Sequence, residues 1–481
     1  MHIKTKRLTN IVFLIIILFF LTYSFFQHYH MPLESDMAGI ILPEKYMSKT
    51  MSDPFGLKAI LYNESYPNPN RYFVQYFMSA YFLNMPLILQ HWVDPIESVY
   101  LSCALIKIIL QAGIMVLLAF YIKQFFLNRQ NKILLAILLV LPLFQTEGYN
   151  RYMGIIDPSI TYSLNYALPL CLLLLLIFPF YKNFYIDKKY KLNTGLKIFI
   201  VFLSIIVMFS GPLTPGIILI ISFLYYTNRL YHNYKNTIHP LWRQRIIVSF
   251  KKIPKDVTLF FIFFSFLSFY SIFLGMHNSL FSQSEIPIVD RYLKIPAGLY
   301  YLVSQKIGYP LFLAMIGINL FIIKKNLNNE FGRKIINFSK WVGVFSLLYI
   351  LLLPLGGYRD YRPNIIRYDT IMPVTICLML LYGISTYHLI NSIKKFRLIY
   401  ILVILAFSFV FINANESHFD NNLCEIQALR KIAESPKNIV QLDCDCTVMG
   451  WDKITCYKDS ELNAELLQIW HITKSKKLYF Q

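Results

Sequence analysis

Residues 73–91 read FVQYFMSAYFLNMPLILQH, and whether this stretch crosses a bilayer decides the orientation of every segment after it. By hydropathy alone it is a span, since about 20 mostly apolar residues are enough to cross a hydrocarbon core. Charge argues the other way. If it crossed, Lys123, Arg129 and Lys132 would move outside and every later basic loop would invert with them. If it stays outside as an interfacial helix, the loops 1–10, 123–132, 182–197, 229–255, 324–340 and 392–397 fall inside. Together they carry 26 Lys and Arg against two acids, Asp187 and Glu330, with a third, Asp256, at the inner edge of the next apolar run. The outer segments then hold 19 Lys and Arg and 23 acids, with Lys107 left within a span. That imbalance is what the positive-inside rule demands, with the amino terminus inside and the carboxyl terminus outside.

Working outward, apolar runs occur at about 11–27, 98–122, 133–146, 160–181, 197–211, 215–228, 256–275, 309–323, 341–355, 370–391 and 398–413. The expected fold is therefore an all-α polytopic membrane protein with about 11 transmembrane helices, short runs being accommodated by snorkelling flanks. The pair at 197–228, split by SGPLTPG, reads either as two spans or as one re-entrant hairpin, and parity survives both. The first run is followed by His28, Tyr29, His30, Met31 and Pro32 without a small-residue cleavage site, so it reads as an uncleaved anchor. Composition agrees: 481 residues with 56% hydrophobic and 15% charged content and a mean hydropathy of +0.48 exclude a soluble enzyme and a disordered chain. The net charge of +20 lies in clusters flanking the apolar runs, which marks topology and not a nucleic-acid groove.

The expected module boundaries are 1–413 for the membrane part, with a first external loop over about 28–97, and 414–481 for a small extracytoplasmic segment. Four of the seven cysteines, Cys424, Cys444, Cys446 and Cys456, fall in that last segment. Their crowding in a short external stretch suggests two disulfides of unknown connectivity, although a Cys444–Cys446 bridge is sterically unfavourable. A metal site around Cys444-Asp445-Cys446 lacks the further ligands that would complete a tetrahedral set.

Transporters place charged or amidic groups at mid-membrane, and here only Lys107 and Asn165 stand out, Lys107 being long enough to snorkel. Polar residues collect instead in four external segments, 28–72, 147–159, 276–308 and 355–369. The first contains Glu34-Ser35-Asp36, two carboxylates just beyond the first span, where partial desolvation raises pKa and suits one of them to general-base work. The last reads LGGYRDYRPNIIRYD, alternating Arg359, Arg362 and Arg367 with Tyr358, Tyr361 and Tyr368. Guanidinium groups grip phosphate through paired donors, and tyrosine suits an interface with one apolar and one wet side. Arg151, Asp157 and Lys306 are further candidate pocket residues, with Arg71, His277, Asp290 and Arg291 on the same side. A site at the outer face fed by several loops suits an enzyme acting on a lipid-borne substrate.

This layout resembles glycosyltransferase superfamily C (GT-C), polytopic enzymes that use sugars carried on polyprenyl phosphate. The resemblance rests on the acidic pair Glu34 and Asp36 after the first span, on the first loop with its interfacial segments 43–63 and 73–91, and on RPNIIRYDTIMP before a late span. No W-W-D-type motif stands near the tail, which argues against the oligosaccharyltransferase branch; Gly450-Trp451-Asp452 lies among the tail cysteines and is not that motif.

The resemblance implies an inverting transfer from a polyprenyl-phosphate sugar to a cell-envelope glycan or glycolipid acceptor on the extracytoplasmic face. Asp36 is then the expected base, Glu34 a helper or acceptor orienter, and Arg362, Arg367 and Arg359 the donor-phosphate ligands. No cofactor is required; a divalent cation is compatible with the carboxylate pair, but two oxygens do not complete a site. The bias toward Ile, Lys, Asn and Phe suggests a bacterial cytoplasmic membrane, and no nucleic-acid partner is expected. The rival readings are a polysaccharide polymerase or ligase using a diphosphate-linked lipid, for which arginines suffice, and a lipid-linked sugar flippase or other transporter.

Overall fold

A computed structural model describes the chain apart from residues 1, 35, 44–46, 127–131, 146–152, 186–191, 238–241, 281–285, 305–306, 328, 357–361, 363 and 414–417, and apart from the side chains of 2–6 and 182–185. The chain opens with α1 (His2–Tyr29), then runs through α2 (Asp36–Ile41), α3 (Ser48–Ser52), α4 (Leu57–Leu61) and α5 (Tyr72–Leu89) to the long α6 (Pro95–Phe125). After α7 (Ile133–Val140) comes α8 (Ile160–Tyr162), which passes through a π-helical turn over Ser163–Ala167 into α9 (Leu168–Tyr185). Next are α10 (Thr194–Met208), α11 (Thr214–Lys235), α12 (Trp242–Lys251), α13 (Lys255–Gly275) and α14 (Ile288–Ser304). The bundle is completed by α15 (Gly308–Asn326), α16 (Glu330–Leu352), α17 (Tyr368–Ser392) and α18 (Arg397–Asn413). The tail adds α19 (Leu423–Glu434), β1 (Ile439–Gln441), α20 (Glu461–Ile469) and β2 (Leu478–Phe480).

Every apolar run in the sequence lies on a helix. Among the described residues seven helical segments are long and apolar enough to cross a membrane, and three shorter apolar ones accompany them. The molecule is thus an α-helical, multi-pass membrane protein whose outer helical faces suit a bilayer. The 197–228 region forms two separate helices, α10 and α11, of 15 and 22 residues. At about 1.5 Å per residue, the 31 residues of α6 exceed a hydrocarbon core, so this helix projects beyond one face. Asp94 starts it by accepting from the backbone N–H of Ile96 and Glu97, which satisfies donors that a helix start leaves open.

Segment 73–91 is the single helix α5, and its ends reveal its course. Phe73 N donates to Phe209 O at the carboxyl end of α10, while Phe82 O accepts from Trp470 Nε1 in the tail at 2.8 Å. The tail in turn meets the end of α1, where Asn422 Nδ2 donates to Tyr29 O. The start of α5 is thus tied to the end of α10 and its middle to the tail, while Tyr81 OH donates to Ser102 O at 3.0 Å and joins it to α6. The expectation of an interfacial helix over 43–63 needs correction: Pro54 and Gly56 break the stretch into the short α3 and α4. Gly56 sits at φ +63°, and a Cβ there would collide with the Leu274 side chain. The long loop before α15 contains a helix the sequence reading did not foresee, α14, with Pro296 inside it.

The tail is not purely helical. β1 and β2 pair in parallel, Val440 opposite Tyr479, over a small core that includes the fully buried Leu429, Leu467 and Trp470. One disulfide, Cys424–Cys446, crosses it. The expected second bridge is not formed, since Cys444 and Cys456 are free. Cys446 is thereby taken from the metal set weighed in the sequence, with the Cys444 sulfur within 4.8 Å of both bridge sulfurs. Lys107 does not snorkel either; it is 1% exposed and its Nζ donates to Pro158 O, which gives a buried ammonium a partner inside the protein.

Candidate functional site

A cavity of about 790 Å³ opens beside the start of α5. Its wall draws on α2, the start of α5, the α8–α9 junction, the 212–220 segment, α13, the end of α16 and the stretch from Arg362 to Thr370. Asp36, Arg362 and Arg367, separated by more than 300 residues in sequence, share this one space, and Arg71 joins them.

Each group is held by local structure. Asp36 is the first residue of α2, where a carboxylate is favoured by the helix dipole, and it is exposed to the cavity. Arg71 precedes α5 and is 7% exposed; the turn before it has Asn68 at φ +49°, its N–H donating to Asn278 Oδ1 at 3.0 Å. Arg362 Nη2 donates to Tyr162 OH, and its guanidinium lies over the Tyr162 ring at 5.8 Å, an arrangement in which cation–π attraction adds to the hydrogen bond. Arg367 caps α17, its N–H donating to Thr370 Oγ1 at 2.8 Å. Its Nη2 meets the fully buried Asp369 Oδ2 at 2.7 Å, and its Nη1 has no hydrogen-bond partner among the described residues. One end of this guanidinium is anchored and the other is left unsatisfied in the cavity wall, which suits it to an anion.

Glu34 takes a different place from Asp36. It is 4% exposed, does not line the cavity, and its Oε1 accepts from Thr161 N at 2.9 Å. Burial, with the nearby Asp36 charge adding, pushes its carboxyl up to about 7 against the opposing pull of Thr161 and Ser159. It ties the first loop to the start of α8, behind the wall and not on it. Asp157 is also structural: buried, it accepts from Ser159 N at 2.8 Å through Oδ1. Tyr368 is off the cavity lining and packs against Tyr162 at 6.0 Å. Arg291 and Asp290 lie on α14, away from the cavity lining. Arg151, Lys306, Arg359, Tyr358 and Tyr361 lie outside the described residues.

Sequence reasoning missed Tyr162, Gln75 and Thr161 as cavity residues. Their signal is weak because they sit at the apolar or helix-starting ends of spans, where such residues ordinarily serve as anchors. Much of the lining is apolar. Leu213, Leu219 and Ile220 contribute to it together with Phe269, Ile272, Leu352 and Leu355, the last four exposing 64, 42, 46 and 55% of their surface.

The fold and the site together define a multi-pass helical membrane protein with one cavity joining a carboxylate, three guanidinium groups and a greasy flank. No family model matches the chain, and neither a curated protein nor a solved structure matches it.

Proposed function

We propose that the protein is an inverting membrane glycosyltransferase of the GT-C kind, moving a sugar from polyprenyl phosphate to a glycan or glycolipid acceptor at the extracytoplasmic face of a bacterial cytoplasmic membrane. The supporting observation is the cavity itself, in which Asp36, Arg362 and Arg367 stand within one space whose remaining lining is largely apolar. In this reading the chain spans the membrane 11 times, with its amino terminus in the cytoplasm and its tail outside.

Asp36 removes the proton from the acceptor hydroxyl as that oxygen forms a bond to the anomeric carbon. The bond from that carbon to the phosphate oxygen breaks, and polyprenyl phosphate departs with the electron pair, neutralised by Arg362 and Arg367. One displacement inverts the centre. The apolar wall takes the first isoprene units of the donor, and Glu34 holds α2 in place from behind without touching substrate.

Purified protein incubated with polyprenyl-phosphate sugars is expected to release polyprenyl phosphate in the presence of acceptor, with inversion at the transferred carbon. Absence of release across glucosyl, mannosyl, galactosyl and arabinosyl donors refutes the reading. A second reading, a polymerase or ligase on a diphosphate-linked lipid, draws support from the third guanidinium, Arg71, in the same wall. It requires no base, so an Asp36→Asn protein that still consumes a diphosphate-linked donor selects it.

A further inference from the structure

The cavity wall leaves polar atoms unsatisfied in a pattern that the phosphate-binding arginines do not explain. Gln75 is 1% exposed, and its Oε1 has no hydrogen-bond partner among the described residues. It lies four residues after Arg71, the residue that precedes α5, and both line the cavity. Asn165 is 9% exposed; its Nδ2 donates to Thr161 O at 2.9 Å, which fixes the amide orientation, and its Oδ1 is likewise without a partner. It sits within the π-helical turn Ser163–Ala167, a local widening that shifts helical register and is enriched at functional sites. Both residues line the cavity, as do Asn68 and Asn364. Among the described lining residues Asp36 is the sole carboxylate, and the cations are arginines alone.

An unsatisfied buried acceptor is costly, and the group that relieves it must bring a hydrogen. Phosphate oxygens bring none at neutral pH, whereas sugar hydroxyls donate to amide oxygens and accept from amide N–H groups. Building on the transferase reading, we infer that Gln75 and Asn165 form the subsite for the transferred sugar, and that this sugar is uncharged and hydroxyl-bearing: a hexose or pentose, not a uronic acid, whose carboxylate would confront the acceptor oxygen that Asn165 holds in place.

The test uses the full-length protein in lipid nanodiscs and three ligands: polyprenyl phosphate, polyprenyl-phosphate glucose and polyprenyl-phosphate glucuronate. Wild type is expected to bind all three through its arginines and to prefer the glucosyl over the glucuronosyl lipid by about tenfold or more. Gln75→Met, similar in shape but without an acceptor amide, is expected to lose about tenfold for the glucosyl lipid while binding polyprenyl phosphate as before. Unchanged glucosyl binding in that variant, or a wild-type preference equal to or favouring the glucuronosyl lipid, overturns the subsite and leaves the transferase reading standing. Failure of wild type to bind any of the three overturns both. The wild-type comparison needs no substitution, so it decides the matter even where Gln75→Met does not fold.

Discussion

The two walls of the cavity are built on opposite principles. The wet wall is assembled from segments distant in the chain and stitched by polar ties, Glu34 to Thr161 across 127 residues and Arg362 to Tyr162 across 200, while Arg367 is held locally by Asp369 at the start of α17. The tail reinforces it, because Glu425 accepts from Leu33 N at 2.8 Å, from Tyr100 OH at 2.7 Å and from Met449 N at 2.8 Å. The apolar lining, by contrast, consists of aliphatic and aromatic side chains such as Leu213, Leu219, Ile220 and Phe269, several of them exposed. A polar wall requires directed partners to hold charged groups in a low-dielectric setting, whereas an apolar wall against lipid requires only shape. Substitutions on the two sides should therefore differ in kind: loss of chemistry or of pH response on one, altered chain-length preference on the other.

The largest effect is expected at Asp36. Removal of a general base costs about 10²–10⁴-fold in rate, so Asp36→Asn should nearly abolish transfer, measured as lipid release, with donor binding retained. A folded variant with normal turnover removes Asp36 from the mechanism.

Titration distinguishes the walls next. The wet side contains two buried glutamates, Glu34 and Glu425, each pushed up by burial to about 7 from the usual range near 4.5. For each, the folded state keeps its proton where the unfolded chain has lost it, so stability is greatest below about 4.5, falls as pH rises, and levels off above about 7. The loss is on the order of 3 kcal/mol per glutamate. Comparing thermal unfolding of wild type and Glu425→Gln in detergent between pH 4 and 8 isolates the Glu425 contribution, and wild type should lose more stability than the variant as pH rises. A slope unaffected by that substitution shows that Glu425 does not titrate in this window.

At Arg362 the expected effect is smaller. Hydrogen bonds to charged groups contribute about 1.5–3 kcal/mol, so Arg362→Ala should weaken binding of polyprenyl phosphate by roughly 10–100-fold and also release Tyr162 from the contact shown above. Arg362 is preferred to Arg367 for this test because loss of Arg367 strands the fully buried Asp369, which would confound binding with folding. Donor affinity indistinguishable from wild type excludes Arg362 from the phosphate site.

Much of this contrast was legible in the sequence, but unevenly. The apolar runs announce the helices because the bilayer imposes a length and a composition on each. The charge asymmetry gave the expectation that α5 does not cross, because the side taken by Lys123, Arg129 and Lys132 depends on it, and the structure shows it as one helix of 18 residues. The sharing of one cavity by Asp36, Arg362 and Arg367 followed from their common side. What the sequence hid is the parting of Glu34 from Asp36: the two differ by a short step in the chain, yet α2 begins between them and turns one inward and the other toward the cavity. Asn165 was visible as a midspan amide, but nothing local told that a π turn carries it. Gln75 lay unremarked within the segment that decided the topology. The tail ties through Glu425 join residues nearly 400 positions apart, and no periodicity reports such a pairing.

The smallest effect tests the apolar wall, and Gly216 is the place to apply it. This glycine lines the cavity in the first turn of α11, following Pro215, and a Cβ added there meets nothing within 4 Å. A larger side chain therefore enters the cavity without displacing backbone. Replacing glycine in a helix also stabilises it by roughly 0.5–1 kcal/mol, so Gly216→Leu should fold at least as well as wild type. If the apolar wall accommodates the lipid portion of a donor, the added isobutyl group competes with the isoprene units nearest the phosphate. KM for a long-chain donor should then rise about threefold to tenfold, in line with the 1–3 kcal/mol that a methylene-scale change in a hydrophobic pocket is worth at most. KM for a donor cut back to a short alkyl phosphate should scarcely move, while kcat stays constant because Asp36 and the arginines are untouched. An equal rise for both donors would mean that Gly216 narrows the path of the sugar or acceptor instead, and the division of labour between the walls would have to be redrawn with α11 on the wet side.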